Sequence, residues 1–79
     1  MTEKVNDMTS NAIKTLEAAA DRFKRALKRA QDWQVNKINR RIAAFNGEAN
    51  DRRNGLIPEE QNTPLLKLAK HVNSLPYTP

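Results

Sequence analysis

The sequence contains no cysteine, which excludes disulfide bonds, thiolate zinc sites and thiol catalysis. Glycine occurs only at positions 47 and 55, so there is no glycine-rich loop of the kind that cradles phosphate groups. No apolar run approaches the roughly 20 residues of a membrane span, and the first residues lack the apolar segment of a signal peptide. We therefore expect a cytoplasmic protein, or part of a virion or other assembly formed in the cytoplasm. Separately, the small size without a recognisable family fits a phage or mobile-element protein.

Aromatic residues and acidic residues are also few. Four aromatic residues in a chain of 79, of which 38% is hydrophobic, are a small supply for the core of one small domain. Fourteen Lys and Arg residues outnumber nine Asp and Glu residues, which gives a net charge of +5. An excess of this size suits an acidic partner, such as nucleic acid, an anionic membrane or an acidic protein.

The most informative stretch runs from about Val5 to Asn46 and contains neither glycine nor proline. From Ile13 to Ala30 its apolar residues, alanines included, recur three or four positions apart, and beyond Ala30 they follow the 3.6-residue helical repeat less regularly, which places them on one face of a helix. These helix-interface positions are Ile13, Leu16, Phe23, Leu27, Ile38, Ile42 and Phe45. We predict an all-α fold with one long amphipathic helix over residues 5–46. It extends to residue 53 if the helix continues through Gly47, at a cost of about 1 kcal/mol.

The C-terminal third predicts a second, shorter helix within the same single unit of residues 1–79. Thr63 is suited to an N-cap and Pro64 to the first helical position, and leucine and valine then recur with helical spacing over residues 64–74. A polar connector over residues 47–63 precedes this helix, with the apolar residues 56–58 as an anchor. An extended tail over residues 76–79 follows it, and Tyr77 is a candidate docking side chain there.

A helix of about 40 residues would be roughly 60 Å long, about twice the width of a compact globule of this chain length. The short second helix, roughly 16 Å long, could cover only part of the apolar stripe. Because burying each large apolar side chain contributes about 1.5–3 kcal/mol, we expect self-association or docking on a larger assembly. Gln34 and Arg41 interrupt the stripe, so a bundle or irregular interface is favoured over a long regular coiled coil. The same interruptions argue against an amphipathic helix on a membrane surface.

One strip of this helix combines basic residues with the only tryptophan and has no acidic residue. Its members with a candidate contact role are Arg22, Arg29, Trp33, Lys37 and Arg40. Trp and Arg are enriched where proteins contact one another, and we favour a non-enzymatic assembly or adaptor protein that binds a protein partner or itself. The alternative is a basic helical protein that binds nucleic acid, in which the basic side chains contact phosphates and Trp33 stacks on a base.

The remaining residues do not form a catalytic pattern. His71 is the only histidine, Ser10 and Ser74 have no identifiable base, and the nearby basic residues are better partners for Glu17 and Asp21 than a substrate is. We therefore expect no enzyme activity, no cofactor, no metal and no small-molecule substrate.

Two fragments resemble the small theta subunit that accompanies the proofreading subunit of bacterial replicative polymerase. They are the sequence LEAAA at residues 16–20 with Phe23 and Lys24, and the ending from Val72 to Pro79, which contains LPYTP. Together the fragments cover about a fifth of the chain. The central proline-containing segment of that family is absent here, so the resemblance implies nothing for the middle of the chain, and none of the predictions above depends on it.

Overall fold

The computed structural model describes residues 10–76 of the chain. This part is all-helical, with helix α1 over Asn11–Leu27, helix α2 over Asp32–Arg53 and helix α3 over Pro64–Ser74. The predicted helical start at Val5 and the predicted docking residue Tyr77 lie outside the described residues. The prediction of an all-α chain that ends in a short helix is confirmed.

Helix α1 begins at a side-chain cap. Ser10 has an extended backbone, and its Oγ accepts a hydrogen bond of 3.1 Å from the backbone N–H of Ile13. This bond satisfies one of the N–H groups that have no partner inside the helix. Near the other end, Lys24 and Arg25 place positive charge in the last turn, where the helix dipole favours it.

The predicted continuous helix over residues 5–46 is interrupted at residues 28–31, where neither glycine nor proline occurs. The backbone N–H groups of residues 28, 29 and 30 bond three residues back, which tightens the end of α1. Gln31 then takes an extended backbone and begins α2. The Oε1 of Gln34 accepts a 3.0 Å hydrogen bond from the N–H of Gln31, and Asp32 lies in the first turn, where negative charge is favourable.

The interruption lets the C-terminal part of α2 run antiparallel to α1. The rings of Phe23 and Phe45 stack with centroids 5.7 Å apart, and Arg53 forms an ion pair of 2.6 Å with Glu17. The few helical hydrogen bonds lost at the break are each worth about 1 kcal/mol net, whereas each enclosed Phe or Leu contributes about 1.5–3 kcal/mol. The apolar stripe is therefore enclosed within the chain instead of lying along an extended rod.

Ten buried apolar residues form the core, contributed by all three helices. They are Ala12, Ile13, Leu16, Ala19, Ala20, Phe45, Ala49, Leu66, Ala69 and Val72. Phe23 and Ile42 pack against this core and are partly buried, and the predicted interface residues Leu27 and Ile38 are also half-buried. The described part measures 46 × 23 × 18 Å with a radius of gyration of 13.6 Å. The expected self-association therefore loses its main physical reason, an apolar rod too long for its own chain to cover, although four of the seven predicted interface residues are only half-buried.

Helix α2 continues through Gly47 and ends at Arg53, as in the longer of the two predicted forms. Gly55 follows with φ at 79°, the left-handed conformation that glycine adopts most readily. The connector is not anchored by Leu56, which is 71% exposed. Ile57 of the predicted anchor is half-buried, and a buried arginine also holds the connector.

That arginine is Arg52, whose side chain is only 1% exposed. Its guanidinium donates hydrogen bonds to the backbone carbonyls of Pro58, Glu59 and Gln61 and to the carboxylate of Glu48, at 2.7–3.4 Å. The same Glu48 carboxylate accepts a 2.5 Å hydrogen bond from Thr63, whose hydroxyl also caps α3. One buried fork of donors thus fixes the connector and the start of α3.

Candidate functional site

The break at residues 28–31 divides the predicted basic strip among three places in the molecule. Arg22 lies on α1, Arg29 lies in the break, and Trp33, Lys37 and Arg40 lie on α2. Because the last three are four and three residues apart, they share one face of that helix. The strip is therefore not the continuous helix face that the sequence predicted, but more than half of it remains together at the start of α2.

Arg22 is occupied inside the molecule. Its Nη2 donates a 2.7 Å hydrogen bond to the backbone carbonyl of Leu75, just after the end of α3. Arg25, one turn further along α1, forms a 2.9 Å ion pair with Asp21. Arg22 thus joins α1 to the segment that follows α3, and we assign it a structural role.

Trp33 is 64% exposed, although it is the largest apolar side chain of the molecule. Its indole N–H donates a 3.0 Å hydrogen bond to Oε1 of Gln31. The ammonium group of Lys37 lies 5.6 Å from the centroid of its ring, which is the distance of a cation–π contact. The ring is therefore held in place by two neighbours while most of its surface faces solvent.

Positive charge is concentrated around this tryptophan. Residues 22–41 contain eight of the 14 basic residues and one of the nine acidic residues, a net charge of +7. The other 59 residues carry a net charge of −2, with six basic and eight acidic residues. The +5 of the whole chain thus understates the local charge, which belongs to one quarter of the sequence.

We use the name basic end for residues 28–41, where five of these basic residues lie and no side chain is buried. The five, all exposed, are Lys28, Arg29, Lys37, Arg40 and Arg41. Neither Lys28 nor Arg41 was among the predicted contact residues, because a helical wheel drawn through the break placed them on other faces. A count of charge along the chain would have found both, since it does not depend on the helix being continuous.

An apolar groove adjoins the basic end between the end of α1, the start of α2 and the residues after α3. Phe23, Ala26, Ala30, Ile38, Val72 and Leu75 contribute its apolar lining, and Arg22, Arg25, Lys28 and Arg29 contribute charge. Leu75 is 45% exposed there. This groove is the part of the predicted apolar interface that the fold leaves accessible to solvent.

Among the described residues, the titratable group with a shifted pKa is Arg53, in the ion pair with Glu17. The hydrogen bond and the charge of Glu17 raise the pKa of Arg53 above its ordinary value. Residues 10–76 contain no group of three or more His, Cys, Asp or Glu residues that could hold a metal ion. The single His71 is exposed on α3. None of the three helices is long and apolar enough to cross a membrane.

In comparisons with family models, with curated proteins and with solved structures, nothing matches this chain. The two fragments that resemble the theta subunit therefore stand without a wider match.

Proposed function

We propose that this protein binds nucleic acid through the basic end. The observation that supports this function is the separation of charge: +7 over residues 22–41 and −2 over the rest of the chain. A polyanion with regularly spaced phosphates gains from contacts to several basic side chains, because each contact releases condensed counterions. Five exposed basic side chains within 14 residues offer such contacts without any need for the closed core to change.

The proposal predicts how strongly the binding constant depends on salt concentration. Contacts to four or five phosphates give a plot of log K against log salt with a slope of about −3 to −4. The measurement is the anisotropy of a fluorescently labelled 20-nucleotide strand, titrated with the protein at several salt concentrations. Absence of binding at 50 mM salt would remove the proposal.

A pair of double variants tests whether the basic end is responsible. Lys37→Glu with Arg40→Glu reverses two charges at the basic end, and Lys67→Glu with Lys70→Glu reverses two exposed charges on α3. Both variants have the same net charge. We expect the first to reduce the steepness of the salt slope by about 2 and the affinity by at least about tenfold.

The α3 variant should stay within about threefold of the unchanged protein, because its charges lie outside the basic end. Equal losses in the two variants would mean that only net charge matters, and would contradict a site at residues 28–41. Thermal melts followed by circular dichroism check that both variants stay folded. All four positions are exposed, so we expect stability changes within about 0.5 kcal/mol.

A second candidate function is protein–protein interaction, as part of an assembly or as an adaptor, and the groove beside the basic end favours it. Its half-exposed apolar residues and its arginines suit an acidic segment of a partner protein or a second copy of this chain. Light scattering at micromolar concentration tests the second copy directly. A mass of one chain would contradict self-association, and Ile38→Asp should abolish any dimer, because it places a charge in the apolar lining.

A further inference from the structure

Trp33 occupies a position that core packing does not explain. The chain has only four aromatic residues, and two of them stack against each other beside the core. Trp33 instead leaves 64% of its surface in solvent at the beginning of α2. Leaving such a side chain exposed forgoes about 1.5–3 kcal/mol of burial, so its role is to be sought in binding.

The contacts of Trp33 determine which surface it can offer to a ligand. The N–H group, the only polar donor of the indole, is engaged by Oε1 of Gln31 at 3.0 Å. The ammonium group of Lys37 lies over the ring, 5.6 Å from its centroid. What remains for a ligand is aromatic surface without a directed hydrogen-bond donor. A surface of this kind binds by stacking and does not distinguish one base from another.

The charges around the ring fit a nucleotide placed on it. Lys37 keeps an ammonium group over one face of the ring, so a base stacks on the other face, and the charge lies within reach of a phosphate of that nucleotide. Arg40 lies about 10 Å from Trp33 along the same face of the helix, given a rise of 1.5 Å per residue, and Arg41 follows it in sequence. Bases on an aromatic side chain and phosphates along a basic groove are the combination found in proteins that bind single strands.

A duplex fits this arrangement less well. Its base faces are already stacked on one another, so the indole could reach them only by insertion, which costs a few kcal/mol for each step that is unstacked. We infer that Trp33 and Lys37 form a stacking site for an unpaired base, and that the ligand is single-stranded nucleic acid. This inference rests on the proposed function and specifies its substrate class.

Because Trp33 is the only tryptophan in the chain, its fluorescence reports on this site without a label. Three 20-mers are compared: a thymidine strand, the corresponding duplex, and an abasic strand that retains the sugar and phosphate groups. We expect strong quenching by the thymidine strand, weaker binding without quenching for the abasic strand, and weak binding without quenching for the duplex. A uridine strand shows whether the sugar matters, and quenching by it supports stacking equally.

Two substitutions at the same position separate stacking from apolar contact. Trp33→Leu keeps an apolar side chain but has no aromatic face, and should weaken binding of the thymidine strand by about 5- to 150-fold while binding of the duplex stays unchanged. Trp33→Phe should restore most of the affinity for the strand. Anisotropy of labelled strands measures both variants, since neither contains tryptophan.

The outcomes distinguish a failure of the stacking site from a failure of nucleic-acid binding as a whole. If duplex and single strand bind equally, without quenching, and Trp33→Leu has no effect, the stacking site is wrong although nucleic-acid binding stands. If none of the 20-mers binds at 50 mM salt, the proposed function itself fails. Quenching by the duplex as strong as quenching by the strand would indicate insertion and would also overturn the preference for unpaired bases.

Discussion

The closed end of the molecule, residues 11–20, 45–53 and 64–72, contains every side chain that is buried in the described part of the chain, whereas the basic end, residues 28–41, contains none. Both ends include part of α2. The same helix therefore packs against α1 with its C-terminal half and faces solvent with its N-terminal half. The apolar residues of α2 differ accordingly. Over residues 45–52 they form a regular core face, whereas before residue 45 they are isolated and half-buried.

This difference implies that the stability of the fold rests on the closed end, whereas the binding that we propose would rest on the basic end. Side chains at the closed end contribute free energy of folding, because they leave water when the chain folds. Side chains at the basic end contribute little to folding, because they are hydrated in both the folded and the unfolded state. Substitutions should therefore separate the two properties, and the following predictions test this in order of expected effect.

The largest expected effect is at the centre of the closed end. Phe45→Ala removes a fully buried ring that stacks on Phe23, and should lower the free energy of unfolding by about 3–5 kcal/mol. Ile38→Ala, at a half-buried position of the basic end, should cost only about 1 kcal/mol. Urea denaturation followed by circular dichroism measures both. Similar losses for the two variants would contradict the division into a closed end and a basic end.

Much of the closed end could be predicted from sequence, because its signals are local. The bounds of α3 at residues 64 and 74 follow from a threonine cap, a proline at the first position and a second proline after the end. The buried residues Ile13, Leu16 and Phe45 were predicted from spacing alone. Arg52 was missed because arginine is rarely buried. Its position seven residues after Phe45 and three after Ala49 nevertheless places it on the core face.

The break between α1 and α2 could not be predicted in the same way. No glycine or proline marks residues 28–31, and the N-cap position holds Gln31, which is not a favoured capping residue. The only local sign is that the regular spacing of apolar residues ends at Ala30. The break is stabilised by contacts between residues far apart in sequence, such as Phe23 with Phe45, and these exist only once the chain has folded back. The hydrogen bond of Arg22 to Leu75 also joins residues far apart in sequence, so local patterns could not predict it either.

The second-largest expected effect is at Arg52 of the closed end, and Arg40 of the basic end provides the comparison. Arg52→Met removes the donors that hold three connector carbonyls and Glu48, and should cost about 2–3 kcal/mol, because hydrogen bonds from a charged donor are lost and Glu48 loses its partner. Arg40→Met, at an exposed position of the basic end, should change stability by less than about 0.5 kcal/mol. Thermal melts of both variants provide the measurement. If Arg52→Met left the melting temperature unchanged, the connector would be held without the hydrogen bonds of this guanidinium.

The smallest expected effect concerns Gly47, which lies in the part of α2 that belongs to the closed end. Gly47 is exposed within the helix, and a Cβ added there would meet no atom within 4 Å. Gly47→Ala should therefore stabilise the protein by about 0.5–1 kcal/mol, because alanine loses less backbone freedom on folding. Gly55→Ala is the matched control and should destabilise it, since φ is 79° there. Affinity for a nucleic-acid strand should stay unchanged in the first variant, because residue 47 lies outside the basic end. If Gly47→Ala instead weakened binding without loss of stability, the two ends would have to bend relative to each other in order to bind, and their independence would be contradicted.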